Sequence, residues 1–193
     1  AELRNINNLR LMNNEEKNRF TNRLNRWLDI YFPEYGTVFK DVSGVGSLLL
    51  LEQVGLPKDI VELGAGGVNN VWREAKLRGT GLGKAQRIVS AAQHSVGSSE
   101  GLDAARDELR WIIRSLKLYT RQEEEYLARL DALGTQIPYI DNILAIKGLG
   151  IRTVIGVMAE IGDITRFNGV KPIQKLAGLA LVEDSSGKHK GKT

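Results

Sequence analysis

Two long stretches of the chain carry apolar residues at three- and four-residue steps, and this spacing limits the fold more than any other feature. In residues 1–32, Phe20, Leu24 and Leu28 fall on one helical face, and residues 102–133 carry a similar stripe. Apolar residues with this period form one face of an α-helix. No segment sustains the period-two alternation of a half-buried strand. The sequence therefore predicts an all-α fold.

Glycine and proline divide the remaining chain into shorter helices. Pro33 ends the first long helix, because the residue before a proline disfavours the helical conformation. Further on, Gly148-Leu149-Gly150 separates two predicted helices, and a short helix is expected around residues 170–178. Between residues 33 and 100, helices separated by glycines are predicted near 45–55, 57–63, 67–78 and 83–96.

The helix predicted at about residues 102–133 has charged residues opposite its apolar stripe. This pattern is typical of an arm that forms a coiled coil. It is equally typical of an amphipathic helix packed on its own domain. The sequence leaves both interpretations open.

Composition narrows the class of protein. Of 193 residues 42% are hydrophobic, so the chain can bury a core, and 27 basic against 23 acidic residues give a formal charge of +4. That charge permits a polyanionic partner without proving one. The absence of cysteine excludes disulfides and thiolate chemistry and fits a reducing compartment. With no secretory signal and no apolar run of about 20 residues, a cytoplasmic location is expected.

A glycine motif at residues 143–154, with an apolar helix end, Gly-x-Gly and a helix start, has the layout of a helix-hairpin-helix. The amide N–H groups and dipole at the start of the second helix would form a phosphate site, which binds DNA through its backbone rather than its bases. The alternative is a plain turn between packed helices. The candidate nucleic-acid-binding residues here are Lys147, Gly148, Leu149, Gly150, Arg152 and Thr153.

A second glycine-rich connection, Gly79-Thr80-Gly81-Leu82-Gly83-Lys84, is not a nucleotide-binding P-loop. Ala85 stands where that motif has serine or threonine, and the spacing between glycines is wrong. The segment could contact a nucleic-acid backbone, but a simple linker is the favoured interpretation.

The last residues combine serine and lysine. Ser185 and Ser186 precede Gly187, and Lys188, Lys190 and Lys192 follow. A serine hydroxyl among cations could attack a phosphodiester, but serine is a weak nucleophile unless a base takes its proton. On composition alone this segment is typical of a basic, disordered tail.

Few residues favour a metal site or a base-stacking platform. The chain has two histidines and no paired His/carboxylate spacing, so no metal site is predicted within it. Glu160 and Asp163 are expected to lie at a solvated helix end. The three tryptophans, Trp27, Trp72 and Trp111, lie in amphipathic stretches and are predicted to belong to the core.

Five short motifs within about 50 residues occur in a recognisable order. The motifs are Ile146-Lys147-Gly148-Leu149-Gly150, Met158-Ala159-Glu160-Ile161-Gly162-Asp163, Arg166-Phe167, Leu176-Ala177-Gly178-Leu179 and Ser185-Ser186-Gly187. They resemble the transposase domain of the insertion-sequence "one-ten" family. The segment from Asn8-Leu9-Arg10 to Phe32-Pro33 resembles the stretch that follows this family's RuvC-like domain.

The resemblance implies a division of the chain into three parts. Residues 1–40 would be the helix after a missing N-terminal catalytic domain. Residues 41–136 would be a helical connector with a coiled-coil arm at about 102–133. Residues 137–193 would be a truncated helix-hairpin-helix transposase domain.

The resemblance also implies an activity. The family joins a RuvC-like domain, whose four acids bind divalent metal such as Mg²⁺, to a domain with a nucleophilic serine. That serine matches Ser186, with Ser185 as the fallback, and the three lysines after it would hold the nucleic-acid backbone.

DNA is the implied partner, with a guide RNA and a homo-oligomer through the helical arm as further expectations, in a bacterial or archaeal cytoplasm. Since the four acids are not in this sequence, the chain alone is not expected to catalyse recombination.

Two other classes of protein stay open. One is a non-enzymatic helix-hairpin-helix module that binds DNA with a steep salt dependence and needs no serine. The other is a helical dimerisation scaffold that is indifferent to nucleic acid.

Overall fold

The computed structural model describes residues 2–137, 140–162 and 164–178, together with the backbone of 185–186 and 189–190. A 3₁₀ turn covers Ile164–Arg166, and an antiparallel pair joins β1 (Ser185–Ser186) to β2 (His189–Lys190). The helices are α1 (Glu2–Tyr31), α2 (Tyr35–Val38), α3 (Val45–Gln53), α4 (Pro57–Glu74), α5 (Leu82–Gln93), α6 (Leu102–Gly134), α7 (Ile140–Leu144), α8 (Ile151–Ile161) and α9 (Val170–Leu176).

The all-α class is confirmed. Helix α1 ends at Tyr31, two residues before Pro33, as the proline predicted. The predicted break after residue 63 is a kink inside α4, where Gly64 has φ 68° and ψ 171°. The short helix α2 and the two-residue strand pair were not predicted.

The chain packs as two compact units. We call Leu11–Glu124 the central unit, and Ala1–Arg10 with Glu125–Thr193 the terminal unit. Helices α1 and α6 each contribute residues to both units. The sequence-based division at residues 40 and 136 is not tested by these packing units and stays a prediction.

The core of the central unit is built where the two long helices meet the short ones. Its tryptophans Trp27 and Trp72 are fully buried, as predicted, and each indole N–H has a carbonyl acceptor: Ala105 at 2.9 Å and Gly46 at 2.8 Å. Because a buried polar group without a partner is costly, these bonds fix the helices around both rings. Further core residues include Leu24, Phe32, Leu50, Leu51, Ile60, Val68, Ile88, Leu109, Ile112, Ile113 and Leu116.

The apolar stripe of α6 finds its partners within the chain. Leu109, Ile112, Ile113 and Leu116 are all buried in the central core. Of the two interpretations of this helix, packing on its own domain accounts for these four positions. A coiled coil is not needed to cover them.

Two side chains depart from the sequence-based expectations. Trp111 was predicted to be core but is 50% exposed, and its ring lies edge-on to Phe20 with centroids 5.0 Å apart. Conversely, Asn13 is buried on α1, where its side-chain N–H donates to the Tyr119 carbonyl of α6 at 2.8 Å. Both outcomes depend on which face the two long helices turn to each other, which local spacing does not specify.

The terminal unit has a smaller core. Ile6 of α1 packs with Leu130 of α6, Ile140 of α7 and the buried face of α8, which presents Val154, Ile155 and Met158. Glu160 lies near the exposed C-terminal end of α8, as predicted, and pairs there with Arg4 at 3.1 Å. Asp163 lies outside the described residues.

In the part of the chain that the structure describes, no helix is long and apolar enough to cross a membrane. A cytoplasmic location stays a prediction.

The packing of α6 predicts a difference between two of its aliphatic residues. Ile112→Ala should lower the free energy of unfolding by about 2–5 kcal/mol, since it leaves a cavity in a full core. Leu118→Ala, at a position 51% exposed on the same helix, should change it by no more than about 0.5 kcal/mol. Urea unfolding of both variants measures this. Equal losses of unfolding free energy in the two variants would contradict the burial of Ile112 and the exposure of Leu118.

Candidate nucleic-acid interface

The turn between α7 and α8 is formed by two glycines with different conformations. Gly148 has φ 95°, a left-handed conformation that side chains disfavour. Gly150 has φ −82° and ψ 158°, the extended conformation usual for the residue that caps a helix N-terminus. Between them Leu149 donates its N–H to the Ile146 carbonyl at 3.1 Å. The chain thus reverses sharply and enters α8 at once.

The first turn of α8 leaves amide donors open to an external acceptor. Thr153 and Val154 donate their N–H groups to the Gly150 carbonyl at 3.0 and 3.1 Å. The N–H groups that precede Thr153 have no acceptor inside the helix, and Gly150 has no side chain with which to cap them. Together with the helix dipole, these donors favour an anion at this end of α8.

The turn is accessible. Lys147, Gly148, Gly150, Arg152 and Thr153 are all exposed. No atom lies within 4 Å of a Cβ built on either glycine. The site therefore has room for a phosphodiester to approach the backbone closely.

Leu149 differs from the other predicted site residues. It is half-buried and packs against the core of the terminal unit, as does Ile151. These two side chains anchor the turn from below, while Gly148 and Gly150 face solvent. The Leu149 side chain holds the turn in place, and its part in nucleic-acid binding stays a prediction.

The fold places one further cation, Arg10, near Arg152, and the sequence analysis did not predict this proximity. Arg10 of α1 lines a small crevice with Arg152 and with Asp131 of α6. Its guanidinium donates to the Asn7 side-chain oxygen at 3.2 and 3.3 Å, which orients it. No sequence signal links Arg10 to Arg152, since their proximity arises only when α1 packs on α8.

The serine segment is described in its backbone alone. The antiparallel register places Ser186 opposite His189 and Ser185 opposite Lys190. This brings a histidine into register with the predicted nucleophile, which the sequence spacing had not indicated. Lys188 and Lys192 lie outside the described residues.

No metal site is assigned to the described residues. Among them no group of three or more His, Asp or Glu side chains is placed to hold an ion.

The segment that bears the turn and the paired strands matches a known family of proteins. Residues 140–193 match the family model described as Transposase IS116/IS110/IS902 family. The resemblance inferred from the order of the motifs is thereby confirmed for this segment, which is a little over a quarter of the chain. No curated protein and no solved structure matches the chain significantly. The match supports a transposase-related function.

The two glycines of the turn should respond differently to the same substitution. Gly148→Ser should lower the free energy of unfolding by about 1–2 kcal/mol, because serine must adopt a left-handed conformation there. Gly150→Ser should leave stability unchanged or raise it, since serine is a good capping residue in an extended conformation. Thermal unfolding of both variants tests this. A loss at Gly150 as large as at Gly148 would contradict the described turn.

Proposed function

We propose that this chain is part of a DNA transposase in which the turn at residues 148–150 holds a phosphodiester backbone and Ser186 attacks one. The observation that carries the proposal is the exposed helix start at Gly150, flanked by Lys147 and Arg152, within the segment that matches a transposase family. The proposal depends on the turn and the family match together, because glycine turns also occur between helices that bind no nucleic acid.

Binding at the turn would position the nucleic acid without reading its sequence. Backbone N–H groups of the first turn of α8 would donate to phosphate oxygens, and the Thr153 hydroxyl is exposed next to them. Lys147 and Arg152 would contribute charge from the two sides of the turn. Such contacts fix orientation and register, while base edges are read elsewhere.

The proposed chemistry is a transfer of a phosphoryl group to serine. The Ser186 oxygen attacks the phosphorus and forms a phosphoserine ester, while the bond from phosphorus to one deoxyribose oxygen breaks. The serine proton passes to a base, and the departing oxygen takes up a proton. Attack by a new deoxyribose hydroxyl reverses the steps, joins the strands and frees Ser186. Ser185 is the fallback nucleophile, and Lys188, Lys190 and Lys192 would hold the backbone.

Divalent metal belongs to the proposal only through a RuvC-like domain, whose acids would hold Mg²⁺ and activate the reacting oxygens. The described residues of this chain supply no such group of ligands. Their part is to bind and orient the strand.

A guide RNA and a homo-oligomer are further parts of the proposal. An RNA duplex has the same phosphodiester chemistry as DNA and would suit the same turn. An oligomer through α6 would have to use residues other than Leu109, Ile112, Ile113 and Leu116, because these four are buried within the chain. Sedimentation velocity of the chain tests the oligomer.

Removing the cations at the turn should weaken binding in a salt-dependent way. Lys147→Ala with Arg152→Ala should reduce the slope of log K against log[salt] for duplex DNA by about 2, roughly 1 for each lost phosphate contact. The matched control is Lys171→Ala with Lys175→Ala, two exposed lysines of α9, which should leave the slope unchanged. Fluorescence anisotropy gives both values.

Gly150→Ser provides a second test at the same turn. The serine side chain would satisfy the open N–H groups and should weaken DNA binding without loss of stability. If Gly150→Ser and the variant that combines Lys147→Ala with Arg152→Ala both bind DNA as tightly as the unchanged chain, the turn is excluded as the contact.

The serine assignment is tested by the covalent adduct. In the full-length enzyme, Ser186→Ala should abolish the protein–DNA adduct on a denaturing gel and leave DNA affinity within about twofold, because the hydroxyl forms the bond but adds little binding. An adduct that persists in this variant and in Ser185→Ala with Ser186→Ala would contradict the assignment. Intact binding with no adduct in the unchanged enzyme would favour the non-enzymatic module.

A further inference from the structure

The positive charge of the central unit is concentrated around one connection. Residues 73–87 contain five basic residues against one acid, Glu74, a surplus of 5 − 1 = 4 that equals the formal charge of the whole chain. The connection from α4 to α5 runs through the middle of this stretch. The basic residues are Arg73, Lys76, Arg78, Lys84 and Arg87.

Within the described part of the chain, no ion pair within 4.0 Å involves any of the five, and the nearest acid to share a crevice with one of them is Glu34, beside Arg87. Elsewhere in the central unit, cations such as Lys17 and Arg106 are paired with carboxylates of neighbouring helices. Four of the five are exposed, and the ammonium of the half-buried Lys84 lies 4.1 Å from the centroid of the Phe39 ring. A cluster of unpaired cations repels itself and favours an anionic partner.

The connection resembles the turn before α8 in its glycine spacing and in its positive φ, but Gly81 has φ 175° where Gly150 has φ −82°. Gly79 has φ 74°, as Gly148 has φ 95°. Two residues later, Gly81 precedes α5 as Gly150 precedes α8. Lys84 and Ala85 donate their N–H groups to the Gly81 carbonyl, both at 3.0 Å, as Thr153 and Val154 do to Gly150.

Two glycines of the connection have no internal explanation. Gly81 is extended, with φ 175°, a conformation open to any residue. Gly83 lies inside α5, where glycine weakens a helix. No atom lies within 4 Å of a Cβ built at either position. Glycine is also used where another molecule approaches the backbone closely, and this use fits both positions.

We propose that residues 73–87, which we call the basic surface, bind the phosphodiester backbone of a nucleic-acid duplex. The cations supply charge and the bare backbone around Gly81 and Gly83 supplies close approach. The basic surface is a site in addition to the turn at 148–150 and does not depend on the transposase assignment. DNA and RNA share the chemistry that it recognises.

The test uses the whole chain of 193 residues with labelled DNA and RNA duplexes of one sequence. Arg78→Ala with Arg87→Ala should reduce the slope of log K against log[salt] by about 2. Arg26→Ala with Arg114→Ala removes two exposed arginines of α1 and α6 and should leave the slope unchanged. A reduction on one duplex alone identifies which nucleic acid occupies the surface. An unchanged slope on both duplexes overturns the proposal.

Gly83→Ala separates binding from folding. Because the Cβ meets no neighbour and alanine favours a helix, the melting temperature should stay equal or rise. Affinity should nonetheless fall severalfold on the duplex that the surface prefers. Unchanged affinity contradicts the close approach proposed here. Since Lys147 and Arg152 are untouched in these variants, failure at the basic surface is distinguishable from failure of the turn at 148–150.

Discussion

The structure depends on the burial of one apolar stripe along α6. Its residues Leu109, Ile112, Ile113 and Leu116 lie in the core of the central unit, and Leu130 lies in that of the terminal unit. Full burial of a Leu or Ile side chain contributes about 1.5–3 kcal/mol, so a handful of such residues rivals the net stability of a typical domain. Helix α1 is bound to the same stripe, since Trp27 donates to the Ala105 carbonyl and Asn13 to that of Tyr119. The two long helices therefore contribute to the cores on which the shorter helices with buried residues pack.

That packing is also what exposes the proposed contacts for nucleic acid. In the terminal unit, Leu149 and Ile151 pack against the core. Gly148, which precedes Leu149, and Gly150, which lies between the two, are therefore exposed. In the central unit, Ala85 and Ile88 are buried beneath the start of α5. In each unit, apolar residues hold a helix start in place and leave its first amides and neighbouring cations free for a phosphate. At residues 148–151 the fold and the proposed function thus depend on the same alternation of glycine and apolar residues.

Local pattern predicted much of this arrangement. The period of the apolar residues predicted the two long helices, and Pro33 predicted where the first of them ends. The motif at 148–150 predicted the turn before α8. Contacts between residues distant in sequence were not predictable. The exposure of Trp111 and the proximity of Arg10 to Arg152 result from how helices face one another. The family of the C-terminal segment was recognisable because motif order is a property of the sequence itself, whereas the role of each serine and lysine there is chemical and stays a prediction.

Hydrogen exchange at the start of α8 tests the central claim most directly. Amide exchange of residues 150–152 would be followed in the chain alone and with a saturating DNA duplex, with residues 171–176 of α9 as the internal reference. If phosphate oxygens accept from the open N–H groups, exchange at 150–152 slows strongly on binding while the reference amides keep their rates. Binding that leaves exchange at 150–152 unchanged would contradict the proposed contact, since the duplex would then be held elsewhere.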